Sequence, residues 1–135
     1  SGKVVSLRVD TVRLKKGAKV VETKREIVEH SPAVVIVPVD GTGNVILVRQ
    51  YRHATGQELL EAPAGGIEKG EDPRGAVLRE LQEETGFTGD EVIPMSSFWM
   101  SPGFCTEEMH AFIVKRLRPS TLDADEDENI QNVLL

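Results

Sequence analysis

The chain has 135 residues, 39% hydrophobic and 28% charged, with a formal net charge of −6. That is the make-up of one globular domain large enough for a buried core. The acidic balance excludes general nucleic-acid binding, the apolar runs are too short to span a membrane, and the lone Cys105 excludes an internal disulfide and points to a reducing, cytoplasmic setting.

Residues 4–14 partly alternate and read as a strand. Lys15-Lys16-Gly17 is a turn, and residues 20–28 return as a second strand. Residues 1–30 are therefore expected to form an antiparallel hairpin ahead of a main domain at 31–135. Such a hairpin is either an extra edge or a surface that pairs with another subunit. Residues 33–39 are a continuous apolar run of strand length, suited to a central strand buried on both faces. The stretch Asp40-Gly41-Thr42-Gly43-Asn44 is a turn, and residues 45–50 are the next strand. That strand runs into Arg52, which is either a surface charge or a planar fork aimed at a phosphate. Residues 55–58 read as a polar loop. Residues 59–62 read as a short strand leading to Pro63-Ala64-Gly65-Gly66, where small side chains let backbone approach a ligand closely.

A helix follows. Asp72 suits its N-cap, Pro73 its first position and Gly86 its left-handed C-cap. At about 100° per residue, Glu80, Glu83 and Glu84 share an arc of roughly 100°, beside an apolar arc of Val77, Leu78 and Leu81. The apolar arc explains docking; it does not explain three adjacent carboxylates. At i,i+3 and i,i+4 they repel, and near the helix C-terminus they gain nothing from its dipole. Either this face is simply solvated, or a hard divalent cation converts the repulsion into attraction, with Mg2+ the usual partner where phosphates are bound.

Beyond the helix, residues 92–95 and 97–100 read as strand, with Trp99 expected in the core or a pocket. Ser101-Pro102-Gly103 is a turn, residues 104–108 a loop and residues 109–114 a strand. Residues 115–122 read as a connection. The acidic run at 123–128 is either solvated or a mobile lid carrying a base. Residues 130–135 begin one more strand or helix.

Residues 65–87 resemble the Nudix box, G-x5-E-x7-R-E-U-x-E-E-x-G-U, where U is bulky and apolar. Gly65, Glu71, Arg79, Glu80, Leu81, Glu83, Glu84, Gly86 and Phe87 fill it without departure. Seven fixed residues would coincide by chance roughly once in 10^8 windows. Within that family the chain looks most like the ADP-ribose pyrophosphatase group. LVRQYR resembles the strand whose last arginine contacts the diphosphate, which implies Arg52. EAPAG resembles the group's strand leading into the box, which brings the carbonyl of Ala64 to the metals. SPGFCTEE resembles its SPG motif, which implies Gly103 and Glu107 at the substrate. EDEN resembles a loop with a base and a metal-reaching acid, which implies Glu126 and Glu128. REIVEH resembles a strand that sends an arginine, here Arg25, toward the substrate, often across a dimer interface. Members usually continue with a strand and a helix after the EDEN-like loop, whereas this sequence ends at Leu135.

The resemblance implies an α/β/α sandwich with a mixed sheet, an N-terminal antiparallel hairpin and a homodimer. It implies two or three Mg2+ ions per site, with Mn2+ as a substitute, held by Glu80, Glu84, Glu83, Glu128 and the Ala64 carbonyl. Arg79 would orient the acids and Glu126 would act as base. The implied reaction takes ADP-ribose to AMP and ribose 5-phosphate. The rivals are GDP-mannose or NADH as substrate, and a non-catalytic module that binds ADP-ribose-like ligands. Such a module has no need of the full acid set.

Overall fold

The computed structural model describes residues 2–120 and 130–134. β1 (Val5–Lys16) and β2 (Lys19–His30) form the expected hairpin. They pair in unbroken register from Val5 with His30 to Lys16 with Lys19, around a tight turn in which Gly17 takes a left-handed φ of 62°. Much of this ribbon is exposed, including Leu7, Val9, Val20 and Val21.

β3 (Ala33–Pro38) is central, and its sequence says why. Val34 and Ile36 are completely buried, and Val35 and Val37 are half-buried on the other face. It pairs in parallel with β8 (Glu108–Pro119) and antiparallel with β6 (Ala64–Gly66). β7 (Phe87–Trp99) completes a mixed sheet of order β6-β3-β8-β7. β4 (Ile46–Arg52), β5 (Gln57–Glu61) and β9 (Ile130–Leu134) form a second, antiparallel sheet of order β5-β4-β9. The single helix among the described residues, α1 (Pro73–Thr85), touches strands of both sheets. Hairpin, mixed sheet and helix are those of the expected fold.

Helix α1 begins and ends where its caps dictate. Asp72 is extended, and its carboxylate accepts from the Arg74 N–H at 3.2 Å. Gly86 is left-handed at φ 73°, with its N–H on the Gln82 carbonyl. Ala76, Val77 and Leu81 bury against Val34, Ile36, Val92 and Val114 to make the core. At about 25 cal/mol per Å² of apolar surface, that contact outweighs the poor electrostatics of the acidic face.

Three local expectations need correction. β5 starts at Gln57, inside the presumed loop, because His53 to Gly56 turn tightly enough to pair Arg52 with Gln57. β7 starts at Phe87 and β8 runs on to Pro119, because Phe87 to Glu91 pair with Lys115 to Pro119. Cross-strand pairing overrides the weak strand propensity of Thr88-Gly89-Asp90. Pro94 interrupts the pattern only locally, since it lies on the sheet edge beside a bulge at Met95. Trp99 is 54% exposed at the end of β7 and is not a core residue.

Candidate active site

The acidic face of α1 lies against β6. Glu84 is 6% exposed, and its Oε2 accepts from the Ala64 N–H at 2.9 Å. Glu80 lies over Gly65 so closely that a Cβ there would overlap its carboxyl group. Gly65 thus leaves the space that the Glu80 carboxyl occupies, and a side chain there would have to displace it.

Arg79 is the hub. Its Nε and Nη2 grip Glu71 at 2.9 and 3.0 Å, and its Nη1 donates to Glu80 at 2.7 Å and to Glu83 at 3.0 Å. Nη2 also donates to the Gly66 carbonyl at 2.8 Å. The guanidinium thereby ties the loop before the helix, the helix and β6 together. Its bonds with Glu71 first, and with Glu80, raise the Arg79 pKa far above its ordinary value. The same Arg79 bonds hold the Glu71 carboxyl below the usual carboxylate range, helped by the Glu68 N–H. A carboxylate so depressed contributes stability above its ordinary pKa, and loses it as pH falls through the lowered value.

Four carboxylates, Glu71, Glu80, Glu83 and Glu84, share this corner with the Arg79 guanidinium. Among the described residues no three acidic, histidine or cysteine side chains close on a common point as a finished metal cage. The donor set nevertheless fits a hard divalent cation: it is all oxygen, and its charge exceeds what one guanidinium balances. The cradle fits too, because Gly65 leaves the space that the Glu80 carboxyl fills.

In front of β6 opens a cleft of about 800 Å³. Arg52, Glu61, Ala64, Gly65 and Gly66 line one part of it, and His30 and Glu107 another. Phe98, Met100 and Met109 give it an apolar flank. Arg52 is held by Glu61 through Nε to Oε1 at 2.9 Å and Nη2 to Oε2 at 2.7 Å. Glu107 Oε1 lies 3.8 Å from His30 Nδ1, whose nearer partner is the Ser31 carbonyl at 2.6 Å. The loop bearing it is stapled to β2: Val28 N–H donates to the Phe104 carbonyl, Thr106 N–H to the Val28 carbonyl, and His30 N–H to Thr106 Oγ1.

Sequence-derived candidates therefore fall into three groups. Arg52, Ala64, Glu80, Glu83, Glu84, Arg79 and Glu107 gather around the cleft and the corner behind it. Arg25 lies elsewhere, beside a hollow lined by Leu7, Val28 and Phe104, and its Nη1 donates to the Lys24 carbonyl. Gly103 is in open space and does not line the cleft. Glu126 and Glu128 lie outside the described residues. Sequence reasoning missed Glu61 and His30. The alternation of β5 against β4 was the available signal for Glu61, once the register was known; nothing local marks His30.

Residues 29–134 match the family model described as NUDIX domain. The chain is 41% identical to the ADP-ribose pyrophosphatase of Bacillus subtilis (strain 168) over 133 residues, 97% of this chain and 70% of that protein. It is also 41% identical to the methanol dehydrogenase activator of Bacillus methanolicus, over 100% of this chain and 72% of that one. A solved structure titled crystal structure of ADP compounds hydrolase covers 99% of this chain and 79% of its own, with a TM-score of 0.74 and 27% identity.

Proposed function

This chain belongs to the Nudix hydrolase family, and from that premise we propose that it hydrolyses the diphosphate bond of ADP-ribose to give AMP and ribose 5-phosphate. Its relatives support a pyrophosphatase-type enzyme for a nucleoside-diphosphate-linked substrate. The observation that carries the choice of substrate is the cleft itself. It is lined both by a forked cation, Arg52, and by the β6 backbone that receives the box glutamates.

In this reading Glu80, Glu83, Glu84 and the Ala64 carbonyl hold the Mg2+ ions, with Glu128 as a further ligand. Mg2+ supplies charge neutralisation at the phosphate oxygens and a more acidic water. Arg79 keeps the carboxylates apart at fixed spacing. Arg52 and Glu107 hold the substrate, and Gly103 shapes the loop before Glu107. Glu126 takes the proton from the attacking water as a phosphorus–oxygen bond of the diphosphate breaks. The second phosphate leaves with its bridging oxygen.

The test is a substrate panel with Mg2+. ADP-ribose is expected to show a higher kcat/KM than GDP-mannose, NADH or a nucleoside triphosphate. A tenfold lead by any of these would overturn the choice of substrate and leave the family untouched.

Assembly is proposed from Arg25, which lines a hollow on the hairpin and is not among the residues that line the cleft of its own chain. We place it across a homodimer built on the 1–30 hairpin, whose exposed Leu7, Val9 and Val20 would be covered there. Light scattering at micromolar concentration is expected to give about twice the monomer mass. A fully active monomer would refute the shared site. No helix among the described residues is long and apolar enough to cross a membrane, and a cytoplasmic setting is proposed on the single cysteine.

A further inference from the structure

We propose that Glu61 is a positioning residue that sets the Arg52 guanidinium in the cleft and acts on substrate only through it; this rests on the diphosphate reading above. In the β4–β5 ladder Arg52 stands opposite Gln57, while Glu61 stands opposite Val48. The Arg52 side chain therefore reaches back along the sheet, past the Gln50–Leu59 pair, to meet Glu61. Its Nε and Nη2 engage both carboxylate oxygens, at 2.9 and 2.7 Å, with a further Nε contact to Oε2 at 3.3 Å. Both side chains are partly exposed, 41% and 25%. A salt bridge so exposed adds little to stability, commonly under about 1 kcal/mol. What it does supply is orientation. A free arginine samples many rotamers, and a two-point grip removes that freedom before substrate arrives.

Charge favours the indirect role. A carboxylate in a cleft for a diphosphate repels its ligand unless a cation stands between them. Arg52 is that cation, and Glu61 holds it along its Nε/Nη2 edge. Glu61 also lies three residues before Ala64, whose N–H binds Glu84. The same few residues of backbone thus set both the phosphate fork and the acidic corner, and fix the spacing between them.

The test is a double-mutant cycle with ADP-ribose at saturating Mg2+. Glu61→Gln keeps shape and removes charge. It is expected to raise KM about tenfold and to lower kcat less than threefold, the signature of lost uniform binding. Arg52→Ala is expected to do at least as much. The double variant should match Arg52→Ala alone. Arg52→Lys probes the same grip without touching Glu61, and should raise KM about as much as Glu61→Gln. A double variant worse than Arg52→Ala by the full Glu61→Gln factor would overturn the proposal, because Glu61 would then touch substrate itself or support the fold. Wild-type kinetics for Glu61→Gln would overturn it as well. If wild type fails to turn over ADP-ribose, the substrate reading has failed instead, and the cycle is run on the best diphosphate of the panel.

Discussion

Glu84→Gln is expected to lower kcat/KM by at least about 10^2, and to abolish the rise in Tm expected on adding Mg2+ to the wild type. Even groups that merely support a metal ligand cost about 10 to 100-fold when removed, and Glu84 is proposed as a ligand itself. The variant should still fold. A glutamine oxygen can accept from the Ala64 N–H as the carboxylate does, and one like charge leaves a corner that holds four carboxylates. Loss of activity without loss of the metal-free fold is therefore the expected pair of results. Glu126→Gln is expected to behave differently. It should keep the Mg2+ response and ADP-ribose binding, while kcat falls about 10^2 to 10^4 as for loss of a general base. Calorimetric titration with Mg2+ and a non-hydrolysable analogue separates the two. Should Glu84→Gln keep its Mg2+ response, the box glutamates do not hold the metal. Should Glu128→Gln lose rate while Glu126→Gln does not, the base is the other glutamate.

Gly65→Ala is expected to cost nearly as much, on the order of 10^2 in kcat/KM, although it removes no functional group. The new methyl would take the place of the Glu80 carboxyl, so Glu80 must leave β6 or β6 must leave β3. The first movement disturbs the contact of Glu80 with Arg79, and the second the bond of Arg79 to the Gly66 carbonyl. Gly75→Ala is the control. Its Cβ would meet Glu71 at an ordinary 3.8 Å on an exposed helix surface, and alanine for glycine in a helix is worth about 0.5–1 kcal/mol of added stability. Equal activities for the two variants would show that the Glu80–Gly65 contact has no part in the reaction.

The helix was readable to its caps, because Asp72, Pro73 and Gly86 are local signals that tertiary structure had no cause to override. The three box glutamates were readable as one face for the same reason. The strands 87–91 and 115–119 were not, because each becomes a strand only by finding the other. Glu61 was hidden likewise. Its partner lies nine residues away across a ladder whose register depends on the tight turn at 53–56. Trp99 shows the opposite failure: a large aromatic suggests the core or a pocket, and at the end of the edge strand β7 it is 54% exposed.

The pairing of β3 with β8 sets the order in which the molecule can be made. Ala33 meets Met109, and Ile46 in the second sheet meets Leu134. Closing such distant contacts costs loop entropy before any packing repays it, so folding is slow compared with a helical domain of this size. During synthesis, β1 with β2 and β4 with β5 can zip as they emerge, and α1 can coil. The most apolar strand cannot be covered in the same way. Val34 and Ile36 can be partly covered by β6 and α1 once those emerge, but their parallel partner β8 follows only more than seventy residues later, which at about 5–20 residues per second is several seconds on the ribosome. For that interval the segment at 33–38 is the part of the nascent chain most exposed to wrong partners. Chaperone binding is expected there rather than at the hairpin.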